Sequence, residues 1–288
     1  MNIFKNILIA LDLSDLDETL IRYANHLSQT FDVEKIYFIH NIKKYEISEI
    51  IEQEIKDVDL EEVISEELND RISEIMHDKS DWEVLISDDP YTESLISYIC
   101  NKLQISSVLL GNKNGENGSG LVGFKILRLL KCNIFWIPKL KDFNFKSIWI
   151  STDFSAPSQK SFKVGALFQK QSQAQVTAVH VFNVPLHFSP YINNSKIENK
   201  VDKHVQGKFD QFIKKIKYPY PLNTITIAGR DANAASKLRQ ESKRYDVSLL
   251  IVADKGGGTF SNLMVGSVTM ELFMRDLEIP LFIAKSTH

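Results

Sequence analysis

Two aspartates and one glycine-rich stretch hold the residue types best suited to chemistry in this 288-residue chain. Asp153 closes the apolar run KSIWISTD, and Asp12 closes KNILIALD in the same manner. Residues 254–267, DKGGGTFSNLMVGS, follow the apolar run 247–252 and lead into a periodic apolar stretch, 268–277. Four of those fourteen residues are glycine, and glycine lets backbone N–H groups approach an anion that a side chain would hold away. Gly256 offers that close approach. Gly266 and Ser267 open a helix whose first N–H groups lack partners and favour negative charge. Ser267 adds a hydroxyl donor and Lys255 a point charge. A flexible surface turn is the competing reading of the same glycines.

Other motifs fail on spacing. GSGLVG, residues 118–123, matches G-x-G-x-x-G in letters only. A dinucleotide fingerprint forms the tight turn directly after a first strand, whereas here the preceding strand ends near Gly111, in the fourth-strand position. Phe124 and Lys125 after Gly123 rule out a phosphate loop of the G-K-[ST] type. His40 and His180 recur at matching strand ends and read as packed sheet-edge histidines. The seven histidines show no metal-ligand spacing. Ser14 and Ser155 follow the aspartates without the base and orienting group a nucleophile requires, and no carboxylate pair separates an acid from a base. Cys132, at the start of a strand, reads as a buried structural thiol.

The elements that must position these residues come in two copies. KNILIALDLSD from Lys5 corresponds to KSIWISTDFSA from Lys146, and Asp12 and Asp153 lie 141 residues apart. The runs around His40 and His180, SSVLLGNKNG and VSLLIVADKG, and CNIFWIPK and IPLFIAKS, recur in the same order. Domains at 1–140 and 141–288 follow, joined by the stretch 138–146. In the second copy, strands are expected near 147–152, 175–182, 223–228, 247–253 and 280–284. Helices are expected near 156–171, 195–216, 232–244 and 266–277, the third capped by Asp231. Continuous apolar strands alternating with helices imply a parallel sheet covered on both faces. The fold class is therefore α/β: two tandem three-layer α/β/α domains, each with a mostly parallel five-stranded sheet. Ligands gather at the carboxyl ends of such strands, where Asp153 and the glycine loop both lie.

These features resemble the universal stress protein family in its tandem two-domain form, over nearly the whole chain. The family's G-x2-G-x9-G-[ST] pattern appears as Ala253-x2-Gly256-x9-Gly266-Ser267, with three of four positions matching. The resemblance implies a Rossmann-like, adenine nucleotide alpha-hydrolase-like fold with ATP, accompanied by Mg, as ligand. It places Ser151, Thr152 and Asp153 on the adenine side and Val181 near the base. Val252 and Ala253 would line the ribose, with Lys255, Gly256, Gly266, Ser267, Val268 and Thr269 around the phosphates. Two departures stand out: Ala253 adds a methyl group where the ligand passes, and Asp254 adds negative charge beside the phosphates.

In the first copy, Gly111 to Asn133 spans 22 positions against 27 from Ala253 to Pro280, so its loop is five residues shorter. A degenerate site there would consist of Asp12, Gly111, Gly118 and Ser119, without the geometry of the second. The resemblance also implies pairing of the final strands, an intrachain pseudo-dimer, and it leaves further homodimerisation open.

Composition sets the remaining bounds. Hydrophobic content of 43% and charged content of 25% describe a soluble globular chain. A net charge of −3 argues against general nucleic-acid binding. Two cysteines give neither a disulfide framework nor a zinc site, which fits a cytoplasmic location. No apolar run reaches the ~20 residues of a membrane span, and the amino-terminal run reads as a first strand, not a signal peptide. Residues 45–76 carry twelve acids, with Ile47, Ile51, Ile55 and Val58 and then Leu60, Ile64, Leu68 and Ile75 at helical spacing. The matching region carries seven lysines from Lys196 to Lys217. Both read as solvated helix faces, or as opposite fields that orient a protein partner. The function that the resemblance implies is a nucleotide-responsive regulatory module in stress adaptation, with little or no turnover. The alternatives are a nucleotide-free interaction scaffold and, third, a slow ATPase.

Overall fold

A computed structural model describes residues 3–44, 58–76, 80–113, 121–182, 194–229, 232–257, 265–275 and 277–286. The chain divides into two compact units, Met1–Phe143 and Asn144–His288. In the first unit the strands are β1 (Asn6–Leu11), β2 (Lys35–Asn41), β3 (Asp81–Ser87), β4 (Ser107–Gly111) and β5 (Asn133–Ile137). Its described helices are α1 (Leu16–Thr30), α2 (Leu60–Ile75), α3 (Thr92–Lys102) and α4 (Leu121–Leu129). The second unit repeats the order. Its strands are β6 (Ser147–Ser151), β7 (Gln175–Phe182), β8 (Asn223–Ala228), β9 (Leu249–Ala253) and β10 (Leu281–Ala284). Its described helices are α5 (Ser158–Ser172), α6 (Asn194–Ile216), α7 (Ala234–Arg244) and α8 (Ser267–Met274).

Each unit forms a five-stranded parallel sheet. The first runs β3-β2-β1-β4-β5, and the second runs β8-β7-β6-β9-β10. The central strands carry little but branched and aromatic side chains because both of their faces are covered. Ile7, Leu8 and Ile9 of β1 are fully buried, as are Ile148 and Ile150 of β6. Helices α1 and α2 pack together and α3 packs on α4, which gives helix layers on both faces. Aromatic rings fill the space between helix and sheet: Phe4 meets Phe31 at 4.3 Å and Tyr23 meets Phe135 at 5.6 Å in the first unit. Phe145 meets Phe168 at 4.9 Å in the second.

This strand order has one functional consequence. The chain winds outward from β1 through β2 to β3, and then in the opposite direction through β4 and β5. The reversal leaves a crevice at the carboxyl ends of β1 and β4, and likewise of β6 and β9. Asp12 follows β1 and Asp153 follows β6, while Gly111 ends β4 and Ala253 ends β9.

Several boundaries differ from the sequence expectation. α8 stops at Met274, three residues early, because Arg275 turns to extended backbone. β9 starts at Leu249 rather than at residue 247. Asn233, not Asp231, caps α7: its side chain accepts from the Ser236 N–H at 2.9 Å. Asp231 lies outside the described residues, as do Ile47, Ile51 and Ile55. In α2 the apolar stripe buries Leu68 and Ile72, whereas Val58 is exposed. Cys132 is only half-buried, and the buried thiol is Cys100. The two thiols hydrogen-bond, and this contact together with burial pushes the Cys100 thiol up.

Candidate functional site

The turn after β6 is built from its own side chains. Thr152 is buried, and its hydroxyl accepts from the Phe154 N–H at 2.9 Å and donates to Ser158 Oγ at 3.0 Å. Asp153, exposed, accepts the Ser155 N–H on Oδ1 at 3.0 Å. Its other oxygen, Oδ2, accepts the N–H of Gly257 at 2.8 Å, across 104 residues of sequence. That bond joins the strand-end aspartate to the glycine loop.

The glycines of the loop answer to this contact. A Cβ on Gly256 would lie 2.9 Å from Asp153 Oδ2, closer than side chains tolerate. A Cβ on Gly266 would lie 3.3 Å from the Gly256 nitrogen. The Gly266 N–H donates to the Asp254 carbonyl at 2.7 Å, which draws the two ends of the loop together. Gly266 then caps α8 and has no side chain of its own to take the first N–H groups of that helix. Residues 258–264 lie outside the described residues.

The remaining expected site residues fall into two groups. Ser151, Val181, Lys255, Ser267 and Val268 are half-buried or exposed around the carboxyl ends of β6, β7 and β9. Val252, Ala253 and Thr269 are buried. The Thr269 hydroxyl donates to the Ala253 carbonyl at 2.6 Å and ties α8 to β9, so it serves the scaffold. The Thr152 hydroxyl is likewise held within its turn.

Asp254 departs from its sequence expectation. Its carboxylate faces Ser286 and accepts that residue's N–H at 3.0 Å and its hydroxyl at 2.7 Å. The half-buried Lys160 lies close enough for the Asp254 charge to act on it, although burial dominates and holds the Lys160 ammonium below its ordinary range. The negative charge of Asp254 is therefore tied to the chain that follows β10, not to the glycine loop. Sequence reading offered no signal for this, since Ser286 only ends the recurring run IPLFIAKS and nothing there marks a partner.

In the first unit the corresponding aspartate is held differently. Lys113 Nζ forms an ion pair with Asp12 Oδ2, and Ser14 Oγ donates to Asp12 Oδ1 at 2.6 Å. Lys113 is the counterpart of Lys255, two residues beyond its strand, a correspondence visible in the repeat. Gly111 serves packing: a Cβ there would lie 2.5 Å from Leu16 Cδ2. Gly118 and Ser119 lie outside the described residues. Asp17, almost fully buried, holds the turn by accepting the N–H groups of Asp12 at 3.1 Å and Leu13 at 2.8 Å. Burial pushes its carboxyl up to about 6, against the opposing pull of these bonds.

Each crevice also has a histidine beneath it. His40 Nδ1 lies 3.1 Å from the Leu11 carbonyl and His180 Nδ1 lies 2.8 Å from the Thr152 carbonyl. Burial holds both imidazoles below the usual histidine range. Among the described residues, no group of three His, Cys, Asp or Glu side chains is arranged to hold a metal ion. No described helix is long and apolar enough to cross a membrane.

Comparison with known proteins gives the second unit a family. The family model described as the universal stress protein family matches residues 144–284. The second unit is a universal stress protein domain. Solved structures extend the likeness of fold across both units. A universal stress protein from Archaeoglobus fulgidus DSM 4304 matches with a TM-score of 0.68 at 16% identity, covering 98% of each chain. A protein from Pseudomonas aeruginosa UCBPP-PA14 given the same family name matches at 0.68 and 10% identity, covering 98% of this chain and 93% of that one. At such identities the likeness is one of fold, and it makes this chain a tandem of the universal stress protein fold. No curated protein matched the chain. Within the universal stress protein domain, the glycine loop meets Asp153 where the sheet reverses its winding.

Proposed function

We propose that the chain is an adenine-nucleotide-binding regulatory module of the cytoplasmic stress response, with its site in the second unit and ATP as ligand. One observation carries this reading: the Gly257 N–H on Asp153 Oδ2 brings the strand-end carboxylate and the glycine loop to one crevice. The cradle fits a phosphorylated ligand. Its glycines leave backbone exposed where a Cβ would intrude, and the glycine-capped start of α8 favours anions. Lys255, with the N–H groups of Ser267 and Val268, would take the phosphates, together with any Mg they carry. Asp153 and Val181 would meet the base, whose exocyclic amine can donate to the carboxylate. Entry of that amine must share or displace the Gly257 N–H, so binding would remodel the loop. This coupling gives a ligand two states to discriminate between, the requirement for a regulatory output.

The first unit supports no equivalent site in this reading, because Lys113 neutralises Asp12 and Leu16 fills the space at Gly111. A nucleotide-free scaffold is the second reading. The mutual satisfaction of Asp153 and Gly257, together with the buried methyl group of Ala253, favours it. Calorimetric titration with Mg-ATP separates the two. Saturable binding of one nucleotide per chain is expected, and it should be lost in Gly256→Val, whose side chain would strike Asp153. Silence at millimolar ATP, with unfolding temperature unchanged, would leave the scaffold.

A further inference from the structure

The turn that carries Asp153 contains a conformation its sequence does not favour. Phe154 has φ of 61°, in the left-handed region, which is costly for a bulky side chain. Such a residue persists only where its surroundings over-determine it. Two sets of contacts do so here. The Phe154 ring lies 4.7 Å from the His180 ring, 4.9 Å from Phe209 and 5.8 Å from Phe212. On the other side of Asp153, the Thr152 carbonyl is 2.8 Å from His180 Nδ1. A carbonyl only accepts, so the proton resides on Nδ1 and the lone pair on Nε2. One imidazole thus grips the turn at two points, before and after the aspartate.

The first unit has the same carbonyl bond. His40 Nδ1 meets the Leu11 carbonyl at 3.1 Å, and Leu13 has φ of 61°. Asp12 sits between them. The ring cage is absent there in kind, since Leu13 is exposed. The shared component is the donor, not the aromatic contact.

We propose that His180 is a positioning residue of the second-unit site: its Nδ1–H fixes the Thr152 carbonyl and thereby aims the Asp153 carboxylate at the glycine loop. It acts through the turn. The consequence for nucleotide affinity rests on the function proposed above, whereas the consequence for the turn does not.

Two variants separate donor from ring. His180→Phe keeps a ring against Phe154 and removes the donor. His180→Asn keeps an N–H near the Nδ1 position and removes the ring. Amide hydrogen exchange on ligand-free protein reads the turn directly through Ser155 and Gly257, whose N–H groups donate to Asp153. Both amides should exchange about five- to tenfold faster in His180→Phe, the range expected for loss of one hydrogen bond, and recover in His180→Asn. The amide of Leu250, bonded to the Pro280 carbonyl at 3.0 Å, should be unaffected. Unchanged protection at Ser155 and Gly257 would overturn the proposal. So would a uniform loss that includes Leu250, or a failure of asparagine to restore what phenylalanine removes. Mg-ATP affinity should follow the same order, and His40→Phe should leave it unaltered. Wild-type protein that fails to bind ATP would defeat the proposed function while the exchange result still decides the clamp. ATP binding that is equal in wild type and His180→Phe would defeat the clamp alone.

Discussion

Asp17 shows how a single buried carboxyl can set the pH response of a turn. Its folded-state value of about 6 lies above the ordinary carboxylate value of about 3.9. The folded protein therefore holds the proton more tightly than the unfolded chain. The resulting stabilisation is complete below the ordinary value and disappears as pH rises through about 6. Over that window it amounts to roughly 2–3 kcal/mol. Denaturant unfolding of wild type and Asp17→Asn at several pH values should show this slope in the first and not in the second. Equal slopes would mean that the carboxyl is hydrated. Asp17 also marks a limit of sequence reading. Asp12 was legible because it ends an apolar run, but nothing in DLSDLDE distinguishes Asp17 as the buried acid. The His180 bond was equally illegible, since it depends on a tautomer and on two strands meeting in register.

At the scale of elements, Gly165 lies on the buried face of α5 against β6. A Cβ there would come within 2.3 Å of Ile150 Cδ1. Gly165→Ala should therefore destabilise the second unit by about 1–3 kcal/mol through overpacking, despite the higher helix propensity of alanine. Ile150→Val removes the obstructing methyl group, and the double variant should recover much of the loss in an unfolding cycle. Additive effects would show that Ile150 is not the obstacle. Strands and their order of recurrence were readable because β1 and β6 are buried on both faces and so nearly purely apolar. Helix ends were less so. Asp231 and Asn233 both suit a cap, and only the chain path decides that Asn233 faces the first turn of α7. The early end of α8 has no marker either, because the apolar pattern runs on past Met274 to Leu277, which is buried outside the helix.

For the whole molecule, the repeat makes one unit an internal control for the other. ATP at ~100 times its dissociation constant should stabilise the unit that binds it by roughly 2.7 kcal/mol. Hydrogen exchange should place the added protection within 144–284 and leave β1 and β4 as they were. Protection gained around Asp12 instead would reverse the assignment of the site. Comparison of the two copies also explains what the glycine pattern conveyed and what it concealed. Gly256 and Gly266 leave room for the contact between the loop and Asp153. Gly111, which looks like part of the same device, accommodates Leu16.

The ion pair between Lys113 and Asp12 has a consequence for how the chain would report on its surroundings. Under the proposed function, with Lys113 holding Asp12 in one unit, each chain would have a single binding step. Occupancy would then follow nucleotide concentration as a simple hyperbola. Such a protein would register nucleotide concentration in proportion, as a gauge does, and leave any threshold to whatever reads it.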